Sequence, residues 1–230
     1  MSDHETVTAP RKKISADERR RRLLDAALRV MKRDGIAAAS TRAICAEADM
    51  SHGAFHYCFH SKKDLYAALL ASDIEIDLGA AWPDISSQAS PQENIRTLLL
   101  AFWSQIESDP EAQLVLFDLG SFALHNPELQ DLPRWEHDVS LNKTTGYIKR
   151  LGAEAGLTFL QDERTLAELV LDTLNGVAWS WLAHRDNDQA RRSLDQFASI
   201  AAALAQKSDK QPTRRSRPTD SIARPTLSQK

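Results

Sequence analysis

Residues Thr41 to Lys62 read TRAICAEADMSHGAFHYCFHSK. Two short helical runs, about Thr41 to Glu47 and about His52 to Cys58, flank a three-residue turn. Ile44, Ala48 and Met50 supply an apolar face to this pair, while Arg42, His52, Ala54, His56 and Tyr57 point the other way. A helix enters a DNA major groove in this manner: small or hydrogen-bonding side chains near its N-terminus reach base edges, and its flanks grip phosphate. The stretch therefore predicts a helix-turn-helix unit presented to double-stranded DNA.

Helix signals on either side complete a head. Ser15-Ala16-Asp17-Glu18 has the form of a capping box, so a first helix starts near Ala16. It carries Leu23, Leu24, Ala27, Leu28, Val30 and Met31 inward and stops at Gly35, a natural left-handed cap. Ser61 caps a fourth helix with Asp64 at its third position, and that helix runs through Leu65, Leu69 and Ile74 toward Gly79 before Pro83 forbids much continuation.

Beyond Pro83 the same punctuation returns. Ser90-Pro91-Gln92-Glu93 opens a helix to about Glu107, and Asp109-Pro110 opens another to His125. Pro133 to about Ala155, Asp162 to His184, and Asp188 to Lys207 read as three more, with no strand of sustained alternation. The expected fold is all-α: a three-helix head with a helix-turn-helix, then a helical bundle. The segment from 207 to 230 lacks a hydrophobic face and is rich in Pro, Ser, Thr and Arg, so it is expected to be a disordered basic tail.

Charge is distributed to match. Residues 1 to 66 hold 13 Lys and Arg against 9 Asp and Glu, residues 67 to 205 hold 9 against 21, and residues 206 to 230 hold 7 against 2. A basic head on an acidic body suits a protein that offers one end to a polyanion, because neutralised phosphates release counterions while the body is repelled. No apolar run approaches the roughly 20 residues of a membrane span, so no membrane contact is expected. The first residues, MSDHETVTAPRKK, have no apolar core of the secretory kind, which makes the cytoplasm, and the nucleoid through DNA, the expected location.

Residues 17 to 77 resemble the TetR family of transcriptional regulators. The likeness is carried by Leu23-Leu24-Asp25-Ala26-Ala27-Leu28, Gly35, Thr41, Ile44, Ala48, Ser51, Gly53, Phe59, Ser61-Lys62 and Leu65. Two positions depart from the pattern: Asp49 stands where the turn is commonly Gly, and His56 where a Tyr commonly holds phosphate. The resemblance implies four regions: a flexible arm (1–15), a DNA-binding head (16–78), an effector-binding and dimerisation bundle (79–206) and the basic tail (207–230). It implies DNA contacts from Thr41, Arg42, Ser51, His52, Gly53, Ala54, His56, Tyr57, Lys62 and Lys63. Ala54 is placed to touch a thymine methyl, and Lys62 to add charge at a helix N-terminus.

The resemblance further implies a small-molecule effector and a homodimer through the last two long helices, whose apolar stripes include Leu166, Leu169, Val170, Leu194, Phe197 and Ala201. Effector candidates are the aromatic and amide side chains of the bundle: Trp103, Phe117, Phe122, Trp135, Asn142, Tyr147, Asn175 and Trp179. The function implied is a ligand-responsive repressor that releases a palindromic operator. An effector-independent DNA binder, an activator, or a helical scaffold or enzyme that has lost DNA binding remain alternatives. His52, His56 and His60 are four apart, yet no further ligand accompanies them, so no metal is expected. No nucleophile motif or phosphate loop is present, so neither a catalytic residue nor a cofactor is expected. Cys45 and Cys58 form no disulfide framework.

Overall fold

The computed structural model describes residues 14–74 and 78–208. The expectations for the N-terminal arm and the basic tail lie almost wholly outside those residues. Among the described residues the chain folds into nine α-helices: α1 (Ala16–Asp34), α2 (Thr41–Glu47), α3 (His52–Cys58), α4 (Lys62–Ile74), α5 (Pro91–Ser108), α6 (Pro110–Leu124), α7 (Leu132–Ala155), α8 (Glu163–His184) and α9 (Asn187–Ala202). The all-α reading holds.

Most boundaries follow the caps. Ser90 Oγ accepts from the Glu93 amide, and the Glu93 carboxylate accepts from the Ser90 amide, a complete capping box. At α1 the box is half made. Ser15 Oγ accepts from the Glu18 amide at 3.1 Å, but the Glu18 carboxylate turns to Arg21 and Arg22 instead. Gly35 ends α1 with φ 83° and ψ 167°, an extended conformation open to glycine and not the left-handed cap expected. Gly156 is the true left-handed cap, ending α7 at φ 64° and ψ 45°.

The described part of the fourth helix ends at Ile74, and residues Gly79–Asp84 form a separate 3-10 helix that contains Pro83. One expectation is corrected. The last helix stops at Ala202 and not at Lys207. Ala205–Lys207 (β2) pairs antiparallel with Leu157–Phe159 (β1), a small ribbon the sequence reading denied. The apolar spacing continues through Leu204, so no local signal marks the change, and the partner strand lies 48 residues away.

The buried side chains fall into two main clusters. The first joins Leu23, Ala26, Val30, Ile44, Phe55, Phe59, Leu65 and Tyr66 of the head to Val115, Leu119 and Ala123 of α6. The second joins the Leu78–Ile85 segment to α5, α8 and α9 around the fully buried Trp103. The head's core is thus continuous with α6, across the boundary drawn near residue 78. Ion pairs reinforce that seam: Lys32 of α1 meets Asp109 at 2.6 Å, and Lys63 of α4 meets Asp131 at 2.7 Å.

Candidate nucleic-acid interface

The turn between α2 and α3 is tight because Asp49 takes φ 51°, the left-handed conformation that short polar side chains tolerate best after glycine. The Met50 amide closes the turn on the Cys45 carbonyl at 2.9 Å. Ser40 Oγ caps α2 through the Ala43 amide. Glu47, at the other end of α2, accepts from Arg29 and Arg33 of α1 at 2.8 and 3.0 Å. Those guanidinium groups hold its carboxyl below the usual carboxylate range. The C-terminal end of α2 is therefore anchored to α1.

α3 has one buried residue at its centre and an exposed front. Phe55 is 1% exposed and stacks obliquely on Phe59, with ring centroids 5.6 Å apart. This anchor was not singled out in the sequence, although an aromatic residue between two outward-facing pairs is a usable signal. Ser51, His52, Gly53, His56 and Tyr57 are exposed and Ala54 is half-buried, so six sequence-predicted contacts share one surface. Arg42 is exposed on α2, and Thr41 is half-buried beside it.

His52 and His56 interact with each other, their Nε2 atoms 3.2 Å apart and their rings edge to face. His60 does not join them; it lies beyond α3, its amide bonded to the Asp64 carboxylate. Among the described residues no group of three or more His, Cys, Asp or Glu side chains is arranged to hold a metal ion. Burial pushes the Cys45 thiol up, which disfavours the reactive thiolate.

α1 adds a flank that the sequence showed only as a basic run. Arg20 donates to the Cys58 carbonyl at 3.0 Å, satisfying an open acceptor at the end of α3, and covers the Phe59 ring at 4.4 Å. Arg19 lies 5.1 Å from the centre of the Tyr57 ring, and Tyr57 is 67% exposed. Lys62 sits over the Tyr66 ring at 5.3 Å. Lys63, expected at phosphate, is drawn instead toward the body by Asp131.

This arrangement has known counterparts. Residues 23–69 match the family model described as bacterial regulatory proteins, tetR family. The head resembles that of the TetR family. The chain is 36% identical over 126 residues to the HTH-type nicotine-responsive transcriptional repressor HdnoR of Paenarthrobacter nicotinovorans. That alignment covers 53% of this chain and 63% of the relative, so the chain spans a little under two thirds of the curated relative it matches. Among solved structures, a TetR transcription regulator from Haloarcula marismortui superposes with a TM-score of 0.63 at 21% identity, covering 83% of this chain and all of that one. The multidrug binding protein EbrR, solved in complex with imidazole, superposes with a TM-score of 0.53 at 25% identity, covering 77% and 93%. The first of these relatives is named a transcriptional repressor and the second a transcription regulator.

The body does not gather the predicted effector residues into one site. Trp103 is closed core, edge-on to Trp181 at 5.3 Å, and its indole N–H is buried without a partner. Phe117 packs against Trp179, which is 63% exposed, and Phe122 meets Tyr66 of α4 edge to face. Trp135 and Asn175 are exposed. Asn142 accepts from Arg164. Tyr147 differs from the rest, because it lines a void between α5, α7 and α8. Hydrocarbon side chains from distant segments make up most of that void, so neither aromatic nor amide content pointed to it.

Proposed function

We propose that this chain is a homodimeric transcriptional repressor that holds a palindromic operator and releases it when a small molecule enters the body. The observation that carries the DNA half is the exposed front of α3, where His52, Gly53, His56 and Tyr57 face outward between the cationic Arg19 and Lys62. His52 and Ala54 read base edges, and Tyr57 with Arg19 and Lys62 grips the backbone. Two such heads must sit about 34 Å apart to occupy successive grooves.

The repressor reading is supported by the nicotine-responsive repressor among its relatives, and a body void gives the effector somewhere to act. For the dimer, the outer faces of α8 and α9 carry Leu169, Trp179 and Ile200, which are 44%, 63% and 64% exposed. Leu166, Leu174, Leu194 and Ala198 on the same helices face their own core instead. Bringing two copies together buries the outward set in a self-complementary four-helix contact. Such a regulator works in the cytoplasm, on the nucleoid.

Mobility-shift titrations at several salt concentrations test the head. His52→Ala should relax base preference by about 1–3 kcal/mol at its position, while Lys62→Ala should weaken all duplexes alike and reduce the salt slope by about 1. Equal losses with unchanged slopes for both variants refute the assignment.

A further inference from the structure

The void beside Tyr147 does not stand alone. A second void lies between α7, α8 and α9, and the two share Ile95, Ile148, Leu151 and Val170 as a common wall. Their volumes are about 80 and 170 Å³. The remaining wall of the first includes Leu78, Leu98, Phe102 and Leu174, and that of the second includes Phe159, Leu166, Phe197 and Leu204. Thr144 and Tyr147 bring the polar atoms, both at the first void, and among the described residues no charged side chain lines either one.

Resting on the effector-release reading above, we propose that the effector is an uncharged, mainly hydrocarbon molecule. It lies across the shared wall, with any hydroxyl or carbonyl at the Thr144 and Tyr147 end. An enclosed apolar cavity of roughly 150 Å³ stays dry and takes up apolar guests; the second void has a comparable volume and opens to the surface beside Leu169 and Ile200. A charged group placed there exchanges water for hydrocarbon with no counter-charge and no set of hydrogen bonds. A neutral chain gains by the area it removes from water. Leu169 and Ile200, on the face proposed for the second copy, stand beside the second void, so dimerisation closes it.

The first void also has a physical route to the head. Tyr147 packs on Trp82 at 6.0 Å between ring centres, and the Arg150 guanidinium covers Trp82 at 4.0 Å. Trp82 and the void residue Leu78 belong to the segment through which the chain leaves α4. A guest that displaces Tyr147 or Leu78 therefore presses on the Leu78–Ile85 segment, which follows α4 in the chain.

The test uses the full-length dimer and three probes of equal chain length below their aggregation limits: 1-decanol, decanoate and decylamine. Binding is followed by calorimetry, and DNA release by anisotropy of a labelled operator. Decanol should bind at least about 100-fold more tightly than either ion, the discrimination expected when an unpaired charge must be buried. Val170→Phe, which fills the shared wall, should weaken decanol at least tenfold while keeping the wild-type circular dichroism spectrum. An ion that binds as tightly as decanol overturns the proposal, as does absence of binding by all three or a folded Val170→Phe that binds decanol normally. Should Val170→Phe not fold, the charge series on the wild type decides. Decanol that binds without releasing operator upholds the chemistry of the cavity and refutes the release mechanism, which separates the two readings.

Discussion

Head and body use their side chains in opposite ways. In the head, the groups that matter point outward from helices of seven residues, and a single buried Phe55 sets the face they share. In the body, the important feature is a space left among side chains that point inward from α5, α7, α8 and α9. The first kind of site is specified by short-range signals: a cap, a turn, an aromatic anchor. The second depends on four helices meeting at the right distance, so a reader of the chain sees its walls only as ordinary core.

The largest expected effects ask whether the two regions are separate at all. Phe55→Ala in the head and Trp103→Ala in the body should each cost about 3–5 kcal/mol, since both side chains are fully buried. All five Trp residues lie in the body, at positions 82, 103, 135, 179 and 181, so their fluorescence reports the body alone. Because the head's cluster includes Val115, Leu119 and Ala123 of α6, Phe55→Ala should lower the denaturation midpoint seen by Trp fluorescence as well as by circular dichroism. A Trp-detected transition that does not move would establish head and body as independent cooperative units.

How much the sequence disclosed follows the same division. The start of α5 is legible in Ser90, and the turn at Asp49 in the need for a short polar side chain at positive φ. Six of the DNA candidates share the α3 front because period 3.6 around one aromatic anchor dictates it. The pairing of Lys63 with Asp131 was not legible because the partner lies 68 residues away. The β1–β2 ribbon and the walls of the two voids were missed for the same reason: nothing near Ala205 or Ile148 in the chain announces what they meet. Aromatic content was a poor guide to the cavity, since a large ring such as Trp103 is used to fill space and not to leave it.

A middle-sized effect probes the seam directly. Asp109 caps α6 through the Ala112 amide and holds Lys32 of α1. Burial works to raise its pKa, but the hydrogen bonds from Lys32 and the Ala112 amide outweigh it, and the net displacement is downward. A depressed carboxyl pKa means that this contribution is present above the unfolded value, about 3.9, and is lost as pH falls through the lower folded value. Asp109→Asn keeps a good cap and removes the ion pair. It should cost about 1 kcal/mol at neutral pH, the partial exposure of the pair limiting the effect. Stability of the variant should also decline less steeply below about pH 4. Identical acid profiles for variant and wild type would mean that the pair does not join head to body.

The smallest effect separates what the head needs for itself from what it needs for DNA. A methyl group added at Gly53 would meet Ser51 Oγ at 3.9 Å, an ordinary contact, and Gly53 does not have positive φ. Folding therefore gives no reason for glycine at this position, and glycine inside a helix costs about 0.5–1 kcal/mol relative to alanine. The missing side chain lies on the exposed front of α3, where the proposed docking brings the helix close to the floor of the groove. Gly53→Ala should raise the stability of the head by about 0.5–1 kcal/mol and at the same time weaken operator binding. Thermal denaturation and operator anisotropy on one preparation read both signs. A stabilised variant that binds operator as well as wild type would show that α3 does not approach DNA at Gly53, and would move the reading surface toward His56 and Tyr57.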